Sequence, residues 1–115
     1  GLPRALVVDP RPLTAQNRVG VLRQLGLDVQ IADDARSAMQ MLSKSADYEL
    51  LVVDMLVAAP SSGLFLNSVR RDNRTAQIPV AIVADPAQRE VADKIRSGPR
   101  ASVSGSAAKA LEELE

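Results

Sequence analysis

Short apolar runs recur along the chain at residues 5–8 (ALVV), 29–32 (VQIA), 50–53 (LLVV) and 80–83 (VAIV), and a weaker one follows at 101–103 (ASV). Three of them are unbroken and rich in valine, as expected of strands covered on both faces of a parallel sheet. Between the runs lie segments of about ten to fifteen residues whose apolar positions return with helical spacing, the length of a crossover helix.

The first such segment, 13–25, places Val19, Leu22 and Leu25 three residues apart and stops at Gly26. The second, 35–45, has Ala38, Met41 and Leu42 on one face behind a capping Asp33 or Asp34. The third, 63–72, carries Leu64, Leu66 and Val69, with Ser61 or Ser62 available as its cap. The fourth opens on Asp85-Pro86, a capping acid followed by proline at the first helical position. The fifth begins at Ser106, with Ala107, Ala110, Leu111 and Leu114 as its stripe.

A strand followed by a helix, five times over, is too few units for a closed eight-stranded barrel. The expected fold is α/β: a single doubly wound, five-stranded parallel sheet of the (βα)5 kind, in the flavodoxin-like order 2-1-3-4-5. The strand order then reverses between the first and third strands, and ligands sit outside the strand ends there. Asp9 ends the first strand and Asp54 the third, so this topology sets the two carboxylates face to face across the crevice.

The chain has 115 residues, the size of one domain, and its last residues, ALEELE, stop within a helical pattern. Residues 1–115 are therefore expected to be one domain taken from a larger multidomain protein. Lysine plus arginine and aspartate plus glutamate number 14 each, and Tyr48 and Phe65 are the only aromatics, so neither charge nor stacking suggests a nucleic-acid partner. Cysteine and histidine are absent, which removes thiol nucleophiles, disulfides, the usual zinc sites and histidine bases. No apolar run reaches the ~20 residues of a membrane helix, so no membrane contact is expected and the cytoplasm is the expected location.

The chemistry left to this chain rests on carboxylates, hydroxyls and basic side chains. Paired carboxylates in a crevice suit a hard cation such as magnesium. An aspartate at a strand end is also an ordinary turn or capping residue, and the DPRP and DML segments permit that reading for Asp9 and Asp54.

With these residues in place, the whole chain resembles a receiver domain of two-component signalling, the module that accepts a phosphoryl group from a histidine kinase on an aspartate. The resemblance rests on ALVVDP as first strand, YELLVVDM as third strand, SSGLFLNSVR as the following loop and helix, IPVAIVAD as fourth strand and RASVS as fifth. YELLVVDM in particular is similar to receivers attached to hybrid histidine kinases. The resemblance implies Asp54 as phosphoacceptor and, were magnesium to bind, weakly, Asp9, Asp54 and the backbone of Leu56 as its ligands; no other cofactor is implied.

Several helpers of that family are replaced. The second acid after the first strand aligns with Pro10, the hydroxyl residue of the fourth strand with Ala84, the switch aromatic with Ser102, and the lysine-proline pair with Gly105-Ser106. Charge-assisted hydrogen bonds contribute roughly 1.5 to 3 kcal/mol each, so losing the lysine and the hydroxyl removes several kcal/mol of support from a phosphorylated Asp54. Lys109 lies one turn past the aligned lysine, and Arg11, beside Asp9, is within reach of the crevice but reads as an ordinary solvated arginine.

The resemblance therefore implies a degenerate receiver, or pseudo-receiver, with no enzymatic activity of its own, acting by protein interaction within a hybrid histidine kinase. Its partner would be the kinase core or another receiver domain of the same polypeptide. The expected contact surface is the face of the fourth helix, fifth strand and fifth helix, with Arg89, Val91, Lys94, Ile95 and Ala101. One alternative is an active phosphoacceptor on Asp54. Another is a cyclic-dinucleotide sensor using arginines among 70, 71, 74, 89, 96 and 100, although no glycine-rich phosphate loop or stacking aromatic accompanies them.

Overall fold

The computed structural model describes residues 1–96, 98 and 100–114, with 113 and 114 described by their backbone alone. In chain order they form β1 (Arg4–Val8), α1 (Pro12–Gln24), β2 (Asp28–Ala32), α2 (Ala35–Lys44), β3 (Leu50–Asp54), α3 (Met55–Ala58), α4 (Pro60–Arg71), β4 (Val80–Val83), a 3-10 turn (Pro86–Gln88), α5 (Arg89–Ile95), β5 (Ala101–Ser104) and α6 (Ala107–Leu114). The five strands are parallel and ordered β2-β1-β3-β4-β5, as the alternation of runs and crossovers requires. Registers such as Val8 with Val53 and Asp54 with Val83 bring the strand ends level, so Asp9 and Asp54 emerge at the same edge of the sheet.

Alternation along each strand splits the core in two. Leu6, Val8, Leu51, Val53, Val80 and Ile82 face one layer with residues of α2, α4 and α5, while Ala5, Val7, Leu50, Val52, Ala81 and Val83 face the other with α1 and α6. Full burial contributes roughly 1.5 to 3 kcal/mol for each large aliphatic side chain, which is why the central strands need no polar face. The side chain of Leu114, expected in the α6 stripe, lies outside the described residues.

Local chemistry sets the element ends. The Asp34 carboxylate accepts from the Ser37 N–H at 2.7 Å and caps α2. At the end of α1, Gly26 takes φ +92°, and Leu27 and Gly26 donate to the carbonyls of Leu22 and Arg23, closing a Schellman turn. The Asp85 N–H donates to Gln88 Oε1 at 2.9 Å, and the Asp85-Pro86 start yields a 3-10 turn before α5.

The third helical segment differs from the sequence expectation. Helix begins at Met55, immediately after β3, because the Asp54 side chain accepts from the Leu56 N–H at 2.9 Å and the apolar Met55, Val57 and Ala58 turn into the core. Neither Ser61 nor Ser62 caps a helix; both, with Gly63, are left-handed (φ +52°, +54° and +85°), and the kink re-aims the chain into the rest of α4. At Gly63 a Cβ would sit 3.1 Å from Ile95 Cβ, so the close approach to α5 and the positive φ both call for glycine.

Candidate functional site

Asp9 leaves β1 with its N–H still on the β2 ladder, donating to the Ala32 carbonyl at 3.0 Å. Its Oδ1 accepts from the Arg11 N–H at 2.9 Å and from Arg11 Nε at 3.4 Å, and its Oδ2 from Arg18 Nη1 at 2.9 Å. Asp54 leaves β3 opposite; its Oδ1 accepts from Arg11 Nη2 at 2.6 Å and Arg18 Nη1 at 2.8 Å, and its Oδ2 from the Leu56 N–H. The two carboxylates stand close together at the strand ends, as the topology predicted, with two guanidiniums bridging them; Asp54 lines the crevice and Asp9 lies buried behind the arginines.

The four side chains differ in burial, and the difference assigns their weights. Asp9 is 0% exposed, Asp54 6% and Arg18 13%, whereas Arg11 is 49% exposed. Arg18 is delivered by α1, whose buried residues are Ala15, Val19 and Leu22; three residues after Ala15 and four before Leu22, it sits in the inward stripe itself. Arg11 comes from the loop between Pro10 and Pro12. Partial burial works against the charge of Arg11, but the Asp54 and Asp9 carboxylates outweigh it and hold its pKa above the ordinary guanidinium value.

Above Asp54 opens a polar crevice of about 270 Å³, lined by Arg11, Arg18, Asp54, Ala84, Asp85 and Gly105 among others. Ala84 is buried just after β4 and offers no hydroxyl to it. Gly105 follows β5 with open space where a side chain would stand. Pro10 is exposed in the first loop, and Ser102 is buried in β5, its hydroxyl donating to the Ala110 carbonyl at 3.3 Å. Lys109 is exposed and is not among the lining residues.

This donor set does not fit magnesium. All four carboxylate oxygens already accept N–H donors, and among the described residues no group of three or more acids or other metal-ligating side chains comes together. Magnesium keeps near-octahedral oxygen ligation at about 2.0 to 2.1 Å, a shell that guanidinium cannot join.

Other sequence expectations change with the structure. Arg11 is an ion-pair partner of both acids rather than a solvated residue. Arg18, which sequence reasoning missed, is the more buried partner; the signal available was a charge inside the apolar stripe of α1. Of the expected contact face, now α5, β5 and α6, Arg89, Val91 and Lys94 are exposed and Ile95 is half-buried against the core. Ala101 is buried in β5, where alternation points it into the core, so it does not belong to that surface.

Four of the six arginines considered for phosphate binding have protein partners of their own in the structure. Arg70 donates to the Ala76, Ile78 and Arg100 carbonyls, Arg74 to those of Ser43 and Leu42, and Arg100 to that of Gln77, at the strand edge away from Asp54. Burial, and then the like charge of Arg100, lowers the pKa of Arg70. Arg89 lies 3.8 Å from Asp93 on its own helix.

No family model matches the sequence. The chain is 30% identical over 95 residues to the DNA-binding dual master transcriptional regulator RpaA of Synechocystis sp., a match that covers 83% of this chain but only 38% of that regulator, so the chain spans less than half of its length. Its structural neighbours are receiver domains, of response regulators and of a histidine kinase among them. They include the receiver domain protein of Clostridium thermocellum (TM-score 0.80, 16% identity, 98% of this chain and 94% of that one). A response regulator receiver protein of Pseudomonas putida matches with TM-score 0.73 and 24% identity over 99% of this chain and 95% of that one. The signal receiver domain of a signal transduction histidine kinase from Syntrophus aciditrophicus matches with TM-score 0.76 and 16% identity, over 97% and 86%. The chain has the receiver fold.

Proposed function

We propose that this chain, starting from its receiver fold, is a degenerate receiver of two-component signalling that acts by protein interaction with little or no phosphorylation switching. Its setting is a cytoplasmic hybrid histidine kinase, where it docks on the kinase core or on another receiver of the same polypeptide. The similarity to a receiver from a signal transduction histidine kinase supports that setting. The exposed Arg89, Val91 and Lys94 offer a mixed polar and apolar surface suited to a reversible contact.

The observation that carries this reading is the state of Asp54. Phosphoryl transfer would need one of its oxygens to attack phosphorus, with cations neutralising the transferring oxygens. Here Oδ1 is gripped by Arg11 and Arg18 and Oδ2 by the Leu56 N–H, while Ala84 and Gly105 supply no hydroxyl and no ammonium. A group with no differential contacts in two states cannot shift the balance between them. Protein incubated with magnesium and acetyl phosphate, a small phosphoryl donor, is expected to gain no phosphoryl group by intact mass. Stoichiometric uptake that disappears in Asp54→Asn would establish an active phosphoacceptor instead.

A further inference from the structure

The charge balance of the crevice carries an inference that rests on the degenerate reading and goes one step past it. Two buried carboxylates, Asp9 and Asp54, place two negative charges at the strand ends, and Arg11 and Arg18 return two positive ones, while Asp85 adds an exposed carboxylate to the crevice wall. A divalent cation would bring the same two charges to the same place. We infer that Arg18, assisted by Arg11, stands in for a divalent cation between Asp9 and Asp54 and is the residue that excludes one.

Arg18 has the geometry for that role: a single nitrogen, Nη1, lies 2.9 Å from Asp9 Oδ2 and 2.8 Å from Asp54 Oδ1. Its place is fixed by helix packing, since it projects from the inward stripe of α1 between Ala15 and Leu22. Arg11 sits on a loop and is half exposed, so it moves aside more easily. A dication entering beside both guanidiniums would meet like charge at a few ångströms, least screened at the largely buried Arg18. Removal of Arg18 alone leaves two carboxylates facing one guanidinium, a net negative crevice with oxygen ligands released. The residue thus decides which kind of cation the crevice holds.

The probe is Mn2+ alone, read as paramagnetic broadening of backbone amides in wild type and in Arg18→Met, which keeps an unbranched apolar stem and drops the charge. Wild type is expected to show no selective broadening at the crevice. Arg18→Met is expected to broaden at Asp9, Asp54 and Leu56 with affinity at least about tenfold tighter, and to lose the effect when Asp54→Asn is added. Should Arg18→Met fail to fold, Arg18→Gln, which drops the charge and keeps a polar stem, carries the same test with the same expected gain. Equal broadening in wild type and variant, or a folded variant with no gain, overturns the inference. Phosphoryl uptake by wild type would instead sink the degenerate reading, so the two failures are distinguishable.

Discussion

Arg18 reaches two carboxylates with one nitrogen while largely buried, so its loss leaves both charges to Arg11 alone. Breaking such a buried pair by removing one partner destabilises by roughly 3 to 5 kcal/mol. Arg18→Ala is expected near the lower end, about 3 kcal/mol, because Arg11 still offsets part of the charge; urea unfolding with unchanged slope measures it. Arg11→Ala should cost no more than about 1 kcal/mol, since a half-exposed pair is largely screened. Ala84→Thr with Gly105→Lys, which restores a hydroxyl and an ammonium where Gly105 leaves open space, is expected still to show no phosphoryl uptake while Arg18 remains. Uptake by that double variant would mean the arginines are no obstacle. At this scale the acids were legible in the sequence, since a carboxylate closing an apolar run has one place to go. The arginines were not: helical spacing gives the face on which Arg18 lies but not the tilt that carries that face over the strand ends.

At the scale of elements, β3 passes into α3 through Asp54, which is at once the last strand residue and the helix cap. Strands and long helices followed from apolar period alone, within a residue or two at most ends. The segment 55–63 did not, because two local effects compete there: a capped apolar turn and three left-handed residues. Gly63→Ala meets both a positive φ and Ile95, and is expected to destabilise by about 2 kcal/mol by urea unfolding; a neutral result would mean that the kink is free to rebuild. The cap of α2 makes a pH prediction. The Ser37 N–H, with its side chain, holds the Asp34 pKa below the usual carboxylate value. A depressed folded pKa contributes stability that is present above the unfolded value of about 3.9 and lost as pH falls through the folded one. Asp34→Asn, which still accepts at the cap, is expected to flatten the stability profile in that acid range; an unaltered profile would remove Asp34 from the account.

On the scale of the whole molecule, a sheet covered on both faces makes the strand-end crevice a consequence of strand order. Leu51→Ala, at a site with no exposure in the centre of β3, is expected to destabilise by about 3 kcal/mol without altering the arginine pairs, which separates fold from site. Among the described residues no helix is long and apolar enough to cross a membrane. The central claim is that this receiver fold holds Asp54 in a finished ion-pair network and does not switch. Its most direct test is a two-dimensional amide NMR spectrum with magnesium, before and after addition of beryllofluoride, which mimics an aspartyl phosphate. An unchanged spectrum is expected. Large shifts that begin at Asp54, spread to Ala84 and Ser102 and vanish in Asp54→Ala would contradict it and make the domain a working phosphoacceptor.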